Sequence, residues 1–147
     1  MSLDTLLRDY EQRFPKSGAF ELRRGESLRK RAVAEGLPDE PGVYLIYGRR
    51  NEVWELLYIG RSGTLHNDGS FGSQKLLKRI TKGKQEGVRR PRFFRERMAL
   101  LGIEALRFRW FVTFADGNGV IPAKAEADLL QAYLGEHSRL PPWNKSV

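Results

Sequence analysis

The sequence predicts an α/β domain whose strands and helices follow the order β-β-α-α-β-α after a helical preface. Two neighbouring runs have strand composition and are joined by a short polar connection, and a third run alternates apolar and polar residues. Apolar residues recur at helical spacing before, between and after these runs. The length of 147 residues suits one hydrophobic core, and an apolar fraction of 40% can fill it. We therefore expect one compact unit.

The N-terminal part, residues 1–38, is predicted to be a helical extension. Its first helix ends before Pro15 and carries five apolar residues at helical spacing, Leu3, Leu6, Leu7, Tyr10 and Phe14. A second, charge-rich helix is predicted over residues 26–34. Residues 39–42 are typical of a turn that leads into a strand. The domain proper is therefore predicted to span residues 39–147.

The elements of that domain follow from composition and periodicity. Residues 43–47 and 54–59 have strand composition, and the polar connection between them suits a hairpin. Residues 62–73 are rich in Gly, Ser, Asn and Asp and are predicted to form a surface loop. The later elements are a helix through 76–80 that ends near Gly83, a helix from Pro91 to Gly102, a strand over 107–114 and a helix from Pro122 to about Gly135.

Positive charge is concentrated in one segment. The formal net charge is +8, and residues 75–97 hold ten basic and only two acidic side chains, which accounts for all of it. Such a stripe attracts polyanions far better than the same charges spread over a surface. Phe93 and Phe94 lie within the segment and could stack on bases, although a solvated helix face with two core phenylalanines is the alternative. The segment predicts nucleic-acid binding.

Several classes of site and compartment are disfavoured. The chain has no cysteine, which excludes disulfides, zinc–thiolate sites and thiol nucleophiles. No run approaches the roughly 20 apolar residues of a membrane helix, and the early charged residues argue against a secretion signal, so we expect a cytoplasmic protein without a membrane partner. With only two histidines in the chain, a histidine-rich nuclease site is implausible. We interpret residues 66–69, His-Asn-Asp-Gly, as a plain turn and not as a metal site.

Glu126 is the acidic residue with the most informative position. On the last predicted helix it shares a face with Leu129, Leu130, Tyr133 and Leu134, the stripe expected to pack inward. An ionised carboxylate there needs a cation or several donors, because unpaired burial is costly. The alternative is a solvated glutamate that the helix dipole favours in the first turn.

Two triplets on the predicted hairpin, Gly42-Val43-Tyr44 and Tyr58-Ile59-Gly60, resemble the motifs of the GIY-YIG endonuclease superfamily. Three later segments of the chain follow in the same order as the other motifs of that family. Arg79 stands where the family has a catalytic arginine, Glu126 where it has a metal-binding glutamate, and Asn144 where it commonly has an asparagine after a proline. The resemblance covers residues 41–144.

The resemblance implies a small, mainly antiparallel three-stranded sheet flanked by helices, and a metal-dependent endonuclease that hydrolyses phosphodiester bonds, with DNA as the favoured substrate. Tyr44 would activate water, and Tyr58 would orient the water or the phosphate. Arg79 would stabilise charge on the phosphate, Glu126 would hold Mg²⁺ or Mn²⁺, and Asn144 would support the site. The residues predicted to contact nucleic acid are Arg61, Lys75, Lys78, Lys82, Lys84, Arg89, Arg90, Arg92 and Arg95.

Two departures from the family pattern leave alternatives open. Some members carry a histidine or tyrosine one turn after the arginine, where this chain has Gly83, and the loop over 62–73 is longer than the usual link. One alternative is a nucleic-acid-binding module with an idle or decayed site. The other is an interaction domain of a larger complex, in which the N-terminal helices dock a protein partner.

Overall fold

The chain folds as an α+β structure around a four-stranded antiparallel sheet of strand order β1-β6-β2-β3. The structure, a computed structural model, describes residues 1–115 and 117–147. The helices are α1 (Leu3–Arg13), α2 (Leu28–Ala34), α3 (Leu76–Lys82), α4 (Arg90–Leu101) and α5 (Pro122–His137). The strands of the sheet are β1 (Ser17–Arg23), β2 (Gly42–Arg50), β3 (Val53–Ser62) and β6 (Ala105–Val112). Two small ribbons pair β4 (Lys84–Gln85) with β5 (Val88–Arg89), and β7 (Phe114–Ala115) with β8 (Asn118–Gly119).

The expectation of three strands was wrong, because β1 lies within the segment that was predicted to be purely helical. All seven residues of β1 pair antiparallel with β6. Phe20 and Leu22 alternate onto the buried side, and the ring of Phe20 stacks on Phe108 with 4.7 Å between centroids. Gly18 gives room to a neighbour, since a Cβ there would lie 2.7 Å from the Trp110 ring. The pairing partner of β1 is distant along the chain, so no local pattern reveals it.

The remaining predicted elements are present with shifted ends. Helix α3 ends at Gly83, α4 ends at the left-handed Gly102, and α5 continues two residues past Gly135. The hairpin turn between β2 and β3 is tighter than expected, because only Asn51 and Glu52 connect the strands, both with positive φ. The β4–β5 ribbon between α3 and α4 was not predicted.

The sheet carries a hydrophobic core on each face. On one face α2, α3 and α4 cover side chains that include Tyr44 and Phe108, and on the other α1 and α5 cover side chains that include Val43 and Phe111. The Tyr10 hydroxyl of α1 donates to the carbonyl of Ala125 in α5 at 3.2 Å. The apolar faces of α1 and α2 are therefore used within the chain, and only their outward faces are open to a partner.

The two phenylalanines of the basic segment belong to the core. Phe93 and Phe94 are buried, and Phe94 contacts the rings of Phe108 and Trp143 with centroid distances of 5.4 and 6.1 Å. The expectation that they could stack on bases was wrong, and the alternative of two core phenylalanines is confirmed. In the part of the chain that the structure describes, no helix is long and apolar enough to cross a membrane.

The packing of β1 predicts a large effect of shortening Phe20. Phe20→Ala should lower the free energy of unfolding by about 3–5 kcal/mol, because it removes a stacked, buried ring. Urea denaturation followed by circular dichroism measures the difference. Leu100→Ala is the control, since Leu100 is 76% exposed and should change stability little. Equal effects of the two substitutions would mean that β1 does not pack against β6 as described.

Candidate active site

The two tyrosines of the hairpin triplets lie side by side across β2 and β3. Tyr44 is paired with Gly60, and the rings of Tyr44 and Tyr58 have centroids 6.0 Å apart. A Cβ at position 60 would lie 2.6 Å from the Tyr44 hydroxyl oxygen and from the Tyr58 ring. A Cβ at Gly42 would lie 2.1 Å from the carbonyl oxygen of Phe111. Both triplets therefore need glycine for a steric reason.

Arg90 lies inside the protein against these tyrosines, which corrects its assignment to the nucleic-acid surface. Its side chain is 2% exposed, and its guanidinium carbon lies 5.2 Å from the Tyr44 ring centroid and 5.4 Å from that of Tyr58. Its Nη1 donates to the carbonyl oxygen of Arg79 at 3.4 Å. Sequence reasoning missed this role because Arg90 stands among basic residues that do face solvent.

Glu126 forms an ion pair with Arg61 of β3, and Arg79 is close enough to affect the pKa of its carboxyl. Its carboxylate accepts a hydrogen bond from Arg61 Nη1 at 3.0 Å, and the side chains are 15% and 54% exposed, respectively. Burial raises the pKa of the Glu126 carboxyl, and the positive charges of Arg61 and Arg79 oppose that rise only in part. The Glu126 carboxylate is therefore mostly buried and ion-paired, which disfavours the alternative of a solvated glutamate.

Tyr58 interacts electrostatically with Tyr44 and with the charged side chains of Glu126, Arg79 and Arg90. Burial raises the pKa of its phenol to about 12, with the neighbouring Tyr44 and Glu126 contributing in the same direction and Arg90 and Arg79 against it. The Tyr58 hydroxyl is therefore neutral at physiological pH and can donate a hydrogen bond. The Tyr44 hydroxyl is buried and has no hydrogen-bond partner among the described residues.

Asn144 holds β3 in place behind Tyr58. Its side-chain Oδ1 accepts from the Ile59 amide at 3.0 Å, and its Nδ2 donates to the Ile59 carbonyl at 2.9 Å. The Trp143 amide donates to the Leu57 carbonyl at 2.8 Å. Both polar atoms of the Asn144 side chain are thus bonded to the backbone of β3.

A polar cleft of about 450 Å³ opens beside Arg61 and Arg79. Its other wall is the loop over residues 62–74, which is closed by backbone bonds from Gly63 to Gln74 and from Gly72 to Thr64. His66 lies on this wall in a tight turn, with its amide bonded to the Ser70 carbonyl, as the turn interpretation expects. Across residues 1–115 and 117–147 no three His, Cys, Asp or Glu side chains come together as a metal-binding group.

Most of the residues predicted to contact nucleic acid lie at the surface. Three basic residues of the segment 75–97 are in ion pairs, Lys78 with Asp39, Arg92 with Glu96, and Arg97 with Glu86. The basic residues for which the described structure shows no ion pair, and which are at least partly exposed, are Lys75, Arg79, Lys82, Lys84, Arg89 and Arg95. These six side chains are available to a polyanion.

Gly83, one turn after Arg79, has no room for a side chain. It ends α3, and a Cβ there would lie 2.4 Å from the carbonyl oxygen of Arg79. This backbone therefore has no space for the histidine or tyrosine that some family members carry.

Comparison of the chain with protein-family models, with curated proteins and with solved structures gave no match. The functional interpretation therefore depends on the arrangement of the side chains described above.

The raised pKa of Glu126 predicts how Glu126→Gln changes stability with pH in EDTA. A carboxyl whose pKa is raised by folding contributes stability that is complete below its ordinary pKa of 4.5 and is lost as the pH rises through the folded value. Glutamine stays neutral and avoids that loss. Glu126→Gln should therefore melt at the same or a higher temperature than the parent at neutral pH, and this advantage should shrink under mildly acidic conditions.

Differential scanning calorimetry in EDTA, at neutral pH and under mildly acidic conditions, measures this difference in melting temperature. A lower melting temperature for Glu126→Gln at neutral pH would show that the ion pair with Arg61 outweighs burial. Glu126 would then be a structural partner of the arginines.

Proposed function

We propose that the chain is a divalent-metal-dependent endonuclease of the GIY-YIG type that hydrolyses phosphodiester bonds, with DNA as its substrate. The observation that carries this proposal is the convergence of Tyr44, Tyr58, Arg79 and Glu126 at β3, from four different elements. The resemblance nominates the same four residues from motifs that are far apart in the chain. A shared location is what a catalytic role requires of them.

Arg79 and Arg61 are suited to bind the phosphate that is cleaved. Both line the polar cleft, and Arg79 makes no ion pair within the described residues. Hydrolysis of a phosphodiester gathers negative charge on the phosphate oxygens, and a guanidinium already in place stabilises that charge. Arg61 has to leave Glu126 in order to contact the phosphate, and its exposed side chain can do so.

Glu126 fits a magnesium site that relies on one protein carboxylate. Its oxygen donor is hard and partly buried, and the desolvation that raises its pKa outweighs the opposing effect of Arg61 and Arg79. Mg²⁺ is often held by one or two carboxylates together with water and substrate phosphate. A bound Mg²⁺ or Mn²⁺ would supply positive charge to the phosphate oxygens.

Tyr44 is proposed to accept a proton from the attacking water in its phenolate form, after its hydroxyl has released its own proton to solvent. Its hydroxyl oxygen is free of hydrogen bonds within the described part of the chain, so its lone pairs are open to a water molecule. Because that hydroxyl is buried, water can reach it only after neighbouring side chains move. Tyr58, whose phenol stays neutral, is proposed to donate a hydrogen bond to the water or to the phosphate.

A nucleic-acid-binding module with an idle site is the second candidate. Three observations favour it. The Tyr44 hydroxyl is buried, the Glu126 carboxylate is already hydrogen-bonded to Arg61, and the residue one turn after Arg79 is Gly83, which has no side chain. Docking of a protein partner through α1 and α2 has less support, because their apolar faces are already buried within the chain.

Cleavage of DNA with Mg²⁺ or Mn²⁺ separates an enzyme from a binding module. Glu126→Gln should abolish nicking of plasmid DNA while leaving DNA binding in EDTA unchanged, because it removes the charge that holds the metal and keeps the shape. Arg79→Ala should lower kcat on the order of a hundredfold, the usual cost of removing a group that stabilises the transition state. The matched controls are Glu55→Gln and Arg8→Ala, both exposed and outside the site, and both should cut as the parent does.

If the parent protein cuts neither plasmid, branched nor single-stranded DNA, the endonuclease proposal is wrong. Cleavage that survives Glu126→Gln would show that another residue holds the metal.

The exposed basic residues predict a salt-dependent DNA interface. Reversing Lys82, Lys84 and Arg89 to glutamate should weaken binding and flatten the plot of log affinity against log salt, by roughly 0.9 for each phosphate that the protein no longer neutralises. Fluorescence anisotropy with a labelled duplex at several salt concentrations gives the slope. The control reverses Arg8, Lys30 and Arg139, which changes net charge equally at other exposed positions. If this control changes the slope as much, the DNA surface lies elsewhere.

A further inference from the structure

Arg90 is a fully buried cation without a carboxylate partner. Its side chain is among the largest that are completely enclosed, and it forms no ion pair within the described residues. Nη1 makes one long hydrogen bond, to the Arg79 carbonyl at 3.4 Å, and Nε has no acceptor among those residues. Burying a guanidinium in this way costs free energy, and an apolar residue of similar volume would avoid that cost. Fold stability is therefore a poor reason for an arginine at this position.

Three aromatic rings and one backbone carbonyl surround the guanidinium. Its carbon lies 5.2 Å from the Tyr44 ring centroid, 5.4 Å from Tyr58 and 5.8 Å from Phe94. These distances suit cation–π attraction, which is stronger when the cation is desolvated. A single side chain on α4 thereby contacts the tyrosine of β2, the tyrosine of β3 and the last turn of α3, which carries Arg79.

We infer that Arg90 is a positioning residue, which fixes the Tyr44 and Tyr58 rings relative to each other and to the backbone of Arg79. This inference rests on the proposed endonuclease function, in which both tyrosines act at the phosphate. A reacting group displaced by about 1 Å can slow a reaction about a hundredfold, so a rigid support behind the tyrosines matters for turnover. Because Arg90 is enclosed, it acts through its neighbours and makes no contact with DNA.

The neighbouring residue provides a natural contrast. Arg89 is exposed, has no ion pair in the described structure and belongs to the proposed DNA surface, whereas Arg90 points inward from the next position. Removal of the Arg89 side chain should therefore weaken DNA binding, and removal of the Arg90 side chain should slow turnover of bound DNA. We therefore expect the Arg89 side chain to affect Kd for DNA and the Arg90 side chain to affect kcat.

The test compares Arg90→Met, Arg90→Lys, Arg89→Met and the exposed control Arg29→Met in the full chain. Arg90→Met should lower kcat roughly ten- to a hundredfold with unchanged Kd for DNA in EDTA, and its melting temperature should equal or exceed that of the parent. Arg90→Lys keeps the charge and should recover part of kcat. Arg89→Met should raise Kd, and Arg29→Met should match the parent in every measurement.

An NMR measurement tests the positioning without any cleavage. The chain has five tyrosines, so labelling their ring carbons yields five resolvable positions, and Tyr44→Phe and Tyr58→Phe assign the two signals of interest. Arg90→Met should shift those two signals and leave those of Tyr10 and Tyr133 in place. If the methionine variant does not fold, Arg90→Lys is measured in its place, and it should shift the same two signals by a smaller amount.

Any of three results for Arg90→Met would overturn the inference. These are unmoved Tyr44 and Tyr58 signals, an unchanged kcat, and a rise in Kd as large as that of Arg89→Met. If the parent protein cuts no DNA, the proposed endonuclease function fails, and the NMR shifts still decide whether Arg90 positions the two rings.

Discussion

Tyr44 stands opposite Gly60 in the antiparallel pairing of β2 and β3, and the arrangement of the site depends on this juxtaposition. The Tyr44 ring occupies the space that a side chain at position 60 would need, since a Cβ there would touch its hydroxyl at 2.6 Å. At Gly42 the backbone of β6 likewise occupies the space that a side chain would need. Two glycines therefore let three strands and two tyrosine rings approach closely, and any larger residue would force them apart.

The edge position of β3 then determines which side chains can meet. Arg79 comes from α3 on the face that holds Tyr44, whereas Glu126 comes from α5 on the opposite face. β3 is an outer strand of the sheet and has one free side. Asn144 bonds the backbone groups of Ile59 that point away from β2, so the C-terminal segment covers part of an edge that could otherwise pair with another chain.

Three features of the site cost stability and lie within one cluster. Folding raises the pKa of Glu126, Arg90 is buried without a carboxylate, and the Tyr44 hydroxyl has no hydrogen-bond partner in the described residues. Such costs concentrate where a protein performs chemistry, because a reactive group cannot be fully satisfied by its surroundings. A module that only binds nucleic acid needs neither the raised pKa of Glu126 nor the buried Arg90, and these two features support the proposed enzyme.

The sequence by itself determined the helices, the β2–β3 hairpin and the glycine ends of α3 and α4, because each depends on contacts within a few residues. Its motifs also nominated Tyr44, Tyr58, Arg79 and Glu126. Only the tertiary structure decided the strand over 17–23, whose partner is β6, and the burial of Arg90, since pairing and packing join residues that are distant along the chain. Local charge patterns cannot tell an arginine that faces solvent from one that lies under an aromatic pair.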